Sequence, residues 1–454
     1  MLSTFTSLNP ATGKTLKTYR YMTNAQLLTA LKRSQQAFSS WKEKTLQDRS
    51  KLLSRVAQLL KHQKEAYARM ITLEMGKPYP EAVMEIEKCA WACEYFADKG
   101  PGLLKEERIK TEHKKSYVRF DPLGVILAIM PWNFPFWQVF RFCAPALLVG
   151  NTVLLKHSSV VPGCSLLLER LFQDAGFPEG VFQTLLTDSK GVEFLIPQIQ
   201  GVTLTGSVAA GSIVGGLAGK NIKPFVLELG GSDPFIVLAD ADVNKAAEFA
   251  VKARFLNTGQ SCIAAKRFFV VKDVARQFID DVVKRTAQLR VGNPVDPETQ
   301  VGPLVREEQR KVLEQQIKRS VKQGARIVCG GKKLQSKGFF FEPTVLIHVK
   351  PSMAVMQEET FGPVLPIMIV QDGEEAVRIA NSSLFGLGAS VWTKDIRKGG
   401  ELARQLEVGF VAINGMVKSD PRLPFGGVKH SGIGRELSRY GLLAFCNIKT
   451  VVAQ

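Results

Sequence analysis

The amino-acid sequence predicts an α/β protein, and three observations favour that class. The chain has 454 residues, 45% of them hydrophobic, which is enough to build large cores in two or three domains. Patterns typical of helices and of strands alternate along it. Short apolar runs recur between helical and glycine-rich stretches, as they do in buried parallel strands.

Residues 1–100 are predicted to be mainly helical. Thr23 and Gln26 form a capping-box pattern that marks the start of a helix. The apolar residues that follow share one face at helical spacing: Leu27, Leu28, Leu31, Phe38 and Trp41. The next segment repeats this spacing with Leu52, Val56, Leu59 and Leu60.

Later apolar runs are predicted to be parallel strands, namely residues 125–129, 153–155, 202–204, 225–227, 235–238 and 268–271. Residues 122–140 carry no charge, and their length alone suggests a membrane span. Pro131, Asn133 and Pro135 interrupt this run. The sequence therefore predicts a buried strand, a turn and the start of a helix there, and no membrane partner.

The net charge of +18 is compatible with binding an anion. Lys and Arg are spread along the whole chain and no nucleic-acid-binding motif accompanies them, so no nucleic-acid partner is predicted. The seven cysteines are scattered and show no metal-ligand spacing, which predicts free thiols and no metal. Residues 1–21 lack the apolar core of a secretory signal, so a cytoplasmic location is expected.

Two glycine-punctuated turns carry residues able to perform covalent chemistry. Cys262 follows Gly259, and Glu228 precedes Gly230 and Gly231. A thiol nucleophile and a carboxylate that activates water would make and then hydrolyse a thioester. Taken alone, a single cysteine is more often a small buried apolar residue.

A dinucleotide site is indicated only weakly, because the usual Gly-x-Gly-x-x-Gly pattern is missing. Instead, the strand at 202–204 is followed by Gly206 and Ser207 at a predicted helix start. Such a start offers backbone amides and a helix dipole to a pyrophosphate, although a plain strand-to-helix turn is the more common cause of this pattern. The glycine-rich stretch ending at Lys220 is not a phosphate loop, since Val214 replaces the first glycine and Asn221 follows the lysine.

Several motifs occur together, in order, and resemble the signature blocks of the aldehyde dehydrogenase superfamily along essentially the whole chain. These blocks are residues 131–135, Lys156, 205–207, 228–231, 259–262, 358–363 and 424–427. The resemblance implies a Rossmann-like cofactor domain, an α/β catalytic domain and a small bridging and oligomerisation element, assembled as a homodimer or homotetramer. It places the cofactor domain at 1–228, with a bridging strand near 108–122, and the catalytic domain at 229–420. Residues 421–454 would return to the cofactor domain and supply an oligomerisation strand.

The resemblance also implies catalytic roles. Cys262 would attack an aldehyde carbon, with the Asn133 amide and the Cys262 backbone N–H stabilising the oxyanion. Glu228 would activate water to hydrolyse the thioester and release a carboxylic acid. Relatives that transfer the acyl group to coenzyme A lack this base, so hydrolysis is favoured.

The implied cofactor is NADP or NAD. The cofactor-binding positions are Trp132, Lys156, Ser159, Gly206, Ser207, Leu229, Glu359 and Phe361. Many NAD-preferring members carry a glutamate where this chain has Ser159. Without that carboxylate, NADP should be tolerated and NAD is not excluded.

We expect the substrate to be a small aldehyde, and succinate semialdehyde in particular, because the chain resembles the compact bacterial succinate-semialdehyde dehydrogenases. Arg141 matches an arginine that holds the distal carboxylate in that group, although an arginine that extends to solvent from its helix is the alternative. Leu256 replaces a second arginine of some members, and Ala264 replaces a second redox cysteine. Other substrate-binding candidates are Trp137, Ser419 and Phe425, with Phe136, Lys418 and Arg422 nearby. A broad aliphatic or aromatic aldehyde dehydrogenase and an inactive binding protein on the same fold are the alternatives.

Overall fold

The computed structural model describes residues 3–335 and 337–454. Its helices are α1 (Asn24–Trp41), α2 (Leu46–His62), α3 (Lys64–Met75), α4 (Tyr79–Leu103), α5 (Trp137–Val149), α6 (Pro162–Asp174), α7 (Ser189–Leu195), α8 (Val208–Lys220), α9 (Val243–Phe255), α10 (Lys272–Ala287), α11 (Glu307–Lys322), α12 (Ala354–Gln357), α13 (Gly373–Asn381), α14 (Ile396–Gln405) and α15 (Ser438–Leu443). Short 3₁₀ segments span Ile196–Gln198 and Leu256–Gly259.

The strands fall into two large sheets and three small ones. They are β1 (Thr4–Asn9), β2 (Lys14–Arg20), β3 (Glu107–Arg108), β4 (Lys115–Pro122), β5 (Val125–Met130), β6 (Thr152–His157), β7 (Phe182–Thr184), β8 (Gly201–Thr205), β9 (Phe225–Glu228), β10 (Asp233–Val237), β11 (Ala265–Val271), β12 (Arg326–Cys329), β13 (Thr344–Ile347), β14 (Val364–Val370), β15 (Phe385–Gly386), β16 (Gly388–Trp392), β17 (Phe410–Ile413), β18 (Val428–Lys429), β19 (Gly432–Ile433) and β20 (Cys446–Ala453).

The first large sheet has the strand order β19-β9-β8-β5-β6-β7. Strands β5 to β9 are parallel, and β19 pairs antiparallel with β9. The predicted strands at 125–129, 153–155, 202–204 and 225–227 are therefore confirmed. Their nearly complete burial explains why they are visible in the sequence as continuous apolar runs.

The second large sheet has the order β12-β13-β14-β11-β10-β16-β17, with β12 as its antiparallel edge. The chain passes into this sheet between Glu228 and Asp233. The runs predicted at 235–238 and 268–271 lie in or directly beside β10 and β11. The chain returns to the first sheet at β19.

A three-stranded sheet of order β20-β4-β3 forms the third component. Strand β20 pairs antiparallel with β4 over its whole length, from Cys446 opposite Pro122 to Ala453 opposite Lys115. The last strand of the chain is thus attached to a segment that precedes the first large sheet.

The N-terminal helices form as the sequence predicts. The capping box is present at α1, since the Thr23 side chain accepts from the Gln26 amide and the Gln26 side chain accepts from the Thr23 amide. Leu27, Leu31 and Trp41 of the predicted face are buried. The hairpin β1–β2 was not predicted, because its second strand is exposed at nearly every position and shows no apolar alternation.

The uncharged run at 122–140 forms β5, a turn and the start of α5, as predicted. All thirteen residues of α5 are buried, so this helix lacks the polar face by which an amphipathic helix is recognised in a sequence. No helix within the described residues combines the length and the apolar character needed to cross a bilayer.

Loops at the carboxyl ends of first-sheet strands contact loops that precede strands of the second sheet. Asn133, after β5, donates to Gln260, before β11, and the amide of Gly231, after β9, donates to Glu359, before β14. Because parallel strands end at a common edge, loops from one edge of each sheet converge in this region. Most of the site residues predicted from the sequence lie in these loops.

Candidate active site

The turn that carries Cys262 has an unusual backbone. Asn257 and Thr258 adopt left-handed conformations with φ of 54° and 57°, which non-glycine residues rarely adopt. Gly259 follows with φ of 72°, and a Cβ there would lie 2.4 Å from the Gly362 carbonyl oxygen. Residues in this conformation persist when surrounding contacts hold them, and they are concentrated at functional sites.

Four hydrogen bonds anchor this turn to neighbouring segments. Glu81 of α4 accepts from the Asn257 amide at 2.7 Å, and the Asn257 side chain donates to the Asn133 carbonyl at 2.8 Å. The Thr258 hydroxyl accepts from the Gly302 amide at 3.0 Å. The Gln260 side chain accepts from the amide of residue 305 at 2.9 Å. The turn that carries Cys262 is therefore held in place by several neighbouring segments.

The Cys262 side chain lies at the opening of this turn and is partly exposed. Desolvation raises the pKa of its thiol to about 11, while the charges of Arg141 and Lys266 act in the opposite direction. The thiol is thus protonated at neutral pH, and forming the nucleophilic thiolate requires a proton acceptor.

Lys266 and Glu359 hold the backbone around Cys262. The buried Lys266 ammonium donates to the carbonyls of Ser261 and Cys262 at 2.8 and 2.7 Å. It also lies 3.2 Å from the Glu359 carboxylate, which accepts from the Gly231 amide at 3.1 Å. This network joins the Cys262 turn to the 358–363 loop and to the Glu228–Gly231 turn. Sequence reasoning missed Lys266, because a lysine at the start of an apolar strand gives no functional signal by itself.

Asn133 lies next to the nucleophile turn and is buried. Its amide donates to the Gln260 carbonyl at 3.1 Å, which leaves the second N–H of the same amide group for another acceptor. The turn around Asn133 is held by buried His157, whose Nε2 donates to the Pro135 carbonyl at 2.8 Å while Nδ1 accepts from the Ser158 amide. Burial lowers the pKa of His157 to about 4, so the ring is neutral and keeps this tautomer.

Glu228 ends β9 and is buried. Its Oε1 has no hydrogen-bond partner among the described residues, and the chain passes close by at Gly426, where a Cβ would lie 2.8 Å from that oxygen. Desolvation raises the pKa of this carboxyl well above its ordinary value; the charge of Glu436 adds to the rise, while Arg141 and Arg435 oppose it. An uncommitted carboxyl with a raised pKa is suited to accept a proton from water or from a thiol.

Arg141 does not extend to solvent, which was the alternative expectation, and its guanidinium has a partner within the protein. It is 2% exposed and forms a buried ion pair with Glu436. Its guanidinium also donates to the Thr205 hydroxyl at 3.3 Å and lies 4.6 Å from the centre of the Phe425 ring. Burial opposes the charge on Arg141, but attraction from Glu436 and Glu228 raises its pKa. The physical reason is that α5 is buried all round and residue 436 supplies a counter-ion that no sequence pattern connects to Arg141.

The other substrate-binding candidates are brought together. Trp137 donates from Nε1 to the Ser419 hydroxyl at 3.1 Å, and both residues are buried, as is Phe425. Ser419 also accepts from the Lys88 ammonium at 2.7 Å, a residue that sequence reasoning did not select. Phe136 is turned away and packs against Tyr67 in the core, with ring centres 5.4 Å apart.

The pyrophosphate candidates lie at the carboxyl edge of the first sheet. Ser207 caps α8 by accepting from the Ala210 amide at 3.2 Å, and the Gly206 amide donates to the Glu228 carbonyl at 2.9 Å. Leu229 packs against α8, where a Cβ on Gly211 would lie 2.5 Å from it. The first turn of α8 is partly exposed, so the helix dipole and the amides that Ser207 does not cap are accessible to an anion.

The remaining dinucleotide candidates lie on β6 and in the loops after β5, after β6 and before β14. Lys156 is the second-last residue of β6, where burial lowers its pKa, and no carboxylate of the described residues is within ion-pair distance of it. Ser159 follows in a depression that is also lined by His157 and Thr187. Trp132 and Phe361 pack edge to face at 5.7 Å. A cation without a counter-ion and an accessible helix start, at the carboxyl edge of the same sheet, fit a phosphate-bearing dinucleotide.

Comparison with known proteins assigns this arrangement to a family. The sequence profile of the aldehyde dehydrogenase family matches residues 2–451. The chain is 47% identical to succinate-semialdehyde dehydrogenase [NADP(+)] 1 of Mycobacterium tuberculosis over 450 residues, covering 98% of each chain. It is 45% identical to the succinate semialdehyde dehydrogenase [NAD(P)+] of Escherichia coli, covering 98% of this chain and 97% of that one.

Solved structures agree with these sequence matches. The succinic semialdehyde dehydrogenase of Streptococcus pyogenes, in complex with NADP+, superposes with a TM-score of 0.96 at 35% identity and covers 98% of this chain and 99% of that one. A profile match over nearly all residues, close relatives over the same span and a common fold lead to one conclusion. The chain belongs to the aldehyde dehydrogenase family.

Proposed function

We propose that this protein oxidises succinate semialdehyde to succinate with reduction of NADP or NAD. Relatives with that activity in their names are 45–47% identical over nearly the whole chain. The observation that carries the proposal is the proximity of Cys262, Asn133 and Glu228: Asn133 donates to the Gln260 carbonyl two residues before Cys262, and Glu228 is near enough for its charge to act on the Cys262 thiol. The three groups are a nucleophile, an amide donor and an uncommitted carboxyl.

Cys262 makes the first covalent bond. After its thiol loses a proton, the sulfur adds to the aldehyde carbon and the carbonyl oxygen becomes an oxyanion. The free N–H of the Asn133 side chain and the Cys262 backbone N–H stabilise that charge. Lys266 and Glu359 keep the turn in place while the oxygen changes charge.

Eight residues would hold the dinucleotide: Trp132, Lys156, Ser159, Gly206, Ser207, Leu229, Glu359 and Phe361. When bound, the cofactor supplies the acceptor for the hydride that leaves the carbon attached to Cys262. The first turn of α8 would receive the pyrophosphate, and Lys156 and Glu359 would bind ribose hydroxyls. Ser159 brings no negative charge to the place where NADP carries its extra phosphate.

Glu228 completes the reaction. Its raised pKa makes its carboxylate form a better proton acceptor than an exposed glutamate. The carboxylate removes a proton from water, the resulting hydroxide adds to the thioester carbon, and the carbon–sulfur bond breaks. The products are a carboxylic acid and the restored Cys262 thiolate.

The substrate would lie between Trp137, Ser419 and Phe425, with Arg141 beneath Phe425. Although Arg141 is paired with Glu436, its positive charge acts on Cys262 and Glu228. Arg141 thus affects the two groups that react, and the preference for the semialdehyde is proposed from the activity named for the relatives.

A homodimer or homotetramer is part of the proposal. Strand β20 is the outer strand of the three-stranded sheet, and its Ile448 and Val452 side chains are 60% and 48% exposed. An apolar outer strand of this kind favours pairing with another copy. A cytoplasmic location is proposed because a reducing compartment keeps Cys262 and the other six cysteines as free thiols.

Initial rates of reduced-nicotinamide formation test the function. Succinate semialdehyde is compared with butyraldehyde, which has the same carbon chain without the carboxylate, under NADP and under NAD. Preference for the semialdehyde is expected, together with a loss of at least about a thousandfold in Cys262→Ala with an unchanged circular-dichroism spectrum. Equal rates on both aldehydes would move the function to a broad aldehyde dehydrogenase. Full turnover by Cys262→Ala would refute the mechanism.

A further inference from the structure

Helix α4 contacts three segments of the active site through one face. Glu81, Glu85 and Lys88 are spaced by four and three residues, so they share that face. Glu81 holds the nucleophile turn at Asn257, and Glu85 accepts from the amides of Phe136 and Trp137 at 2.9 and 3.0 Å. Both glutamates thus accept hydrogen bonds from backbone amides of the site.

Lys88 is the member of this face that holds no backbone group. Its ammonium donates to the Ser419 hydroxyl at 2.7 Å and lies 4.2 Å from the centre of the Trp137 ring. Ser419 accepts a second hydrogen bond from Trp137, so both acceptor positions of its oxygen are used and its O–H proton is left to donate. An ammonium and a hydroxyl donor therefore lie side by side along the Trp137 wall.

The Lys88 ammonium has no counter-ion among the described residues. Glu85 is the partner of buried Lys77, and Asp420 is the partner of Arg422 at 2.6 Å. Burial lowers the pKa of Lys88 to about 7, with further lowering by Lys418 and Arg141. An anion placed against Lys88 would relieve this unfavourable burial of a charge.

Arg141 is the other buried cation of this region, and Glu436 already serves as its counter-ion. The contrast between a paired arginine and a lysine without a carboxylate partner indicates which cation is available to a ligand. We propose that the Lys88 ammonium and the Ser419 hydroxyl bind the distal carboxylate of the substrate, with Trp137 as the wall beside it. This assignment rests on the proposed function and names the residues that select the charged aldehyde.

The test replaces Lys88 by Met, which keeps the length of the side chain and removes the charge. With NADP, the KM for succinate semialdehyde is expected to rise about 10- to 100-fold, the range for losing a hydrogen bond to a charged group, while kcat changes less. As this KM rises, the ratio of kcat/KM for succinate semialdehyde to kcat/KM for butyraldehyde should fall. Lys88→Arg should restore most of this ratio.

A matched control and a stability measurement separate recognition from a structural role. Lys99→Met, an equal change of charge at a 63% exposed position on α4, should keep the wild-type ratio. Lys88→Met should melt at or above the wild-type temperature, because it removes a buried charge without a counter-ion. A lower melting temperature with equal losses on both aldehydes, or an unchanged ratio, would overturn the proposal.

Product binding distinguishes failure of this assignment from failure of the proposed function. Succinate and butyrate are titrated calorimetrically into the NADP-loaded protein and into NADP-loaded Lys88→Met. Weaker binding of succinate alone in the variant supports the Lys88 site even if the wild type shows no kinetic preference for the semialdehyde. Equal succinate affinities in both proteins would overturn the Lys88 site whatever the substrate is.

Discussion

Folding changes the pKa of the Glu81 carboxyl group. Desolvation raises its pKa from 4.5 to about 7, although the Asn257 amide and Lys77 oppose the shift. Between those two pH values the folded chain keeps a proton that the unfolded chain has lost. The contribution of Glu81 to stability is therefore fully present below about pH 4.5 and is lost as the pH rises to about 7.

Replacing Glu81 by Gln should remove this dependence, because the amide stays neutral and its oxygen still accepts from Asn257. Melting temperatures between pH 5 and 8 are the measurement. The variant should gain stability relative to wild type as the pH rises. Glu87→Gln, at an exposed position on the same helix that pairs with Lys64, should run parallel to wild type. If Glu81→Gln also ran parallel, the buried carboxyl would not titrate in this range.

Ser159 is expected to govern tolerance of the extra phosphate of NADP. A carboxylate at this position would repel that phosphate, so Ser159→Glu should raise the KM for NADP relative to that for NAD by about tenfold or more. Ser159→Gln has the same size without the charge and should leave the ratio of the two KM values near wild type. The hypothesis fails if the neutral variant shifts this ratio as much as the charged one.

The candidate catalytic residues were selected through the resemblance to aldehyde dehydrogenases, whereas their contacts in the fold could not be predicted. Cys262, Asn133 and Glu228 lie in short blocks that carry this resemblance. The Arg141–Glu436 pair and the Lys88–Ser419 contact join residues far apart in the chain, and no local pattern connects them. A lysine on an amphipathic helix is indistinguishable in sequence from one in solvent.

Helix α8 contains one glycine that its packing requires, Gly211, and another that its packing does not require, Gly216. A Cβ on Gly211 would lie 2.5 Å from the Leu229 side chain, whereas a Cβ on Gly216 would meet nothing within 4 Å. Gly216→Ala should stabilise the protein by about 0.5–1 kcal/mol, because alanine restricts the unfolded chain and favours the helix. Gly211→Ala should destabilise it by about 1–3 kcal/mol through overpacking.

Denaturant unfolding of both α8 variants measures these two changes in the free energy of unfolding. The same sign for both would contradict the packing described at Leu229. Because Leu229 follows Glu228, Gly211→Ala should also lower activity, while Gly216→Ala should not.

Whether a helix or strand could be predicted from the sequence depended on which of its residues are buried. Strands buried on both faces produced apolar runs, and the amphipathic α1 showed its helical period. The hairpin β1–β2 has neither pattern, since its residues are mostly exposed. Helix α5 was recognised only at its start, because a wholly buried helix resembles any apolar segment.

Assembly is a property of the whole molecule and depends, in our proposal, on β20. Ile448 and Val452 lie on one face of this strand, four residues apart. Changing both to Glu should place charges in the interface between copies and reduce the mass measured by light scattering after gel filtration. The circular-dichroism spectrum should be preserved.

Ile396→Glu is the matched control for this assembly test, since Ile396 is 61% exposed on α14, away from β20. It should leave the mass unchanged. An unchanged mass in the β20 double variant would show that this strand does not hold the copies together.

The pairing of late strands with early ones has a consequence for how the protein is made. Strand β19 completes the first large sheet beside Glu228, residue 436 supplies the counter-ion of Arg141, and β20 covers β4. All three contributions come from residues 432–453. During synthesis these contacts form only after residues 432–453 have been made, because a contact between distant segments requires both segments to be present. The Arg141–Glu436 pair and the sheet edge beside Glu228 are therefore completed late in folding, after the Cys262 turn has been synthesised.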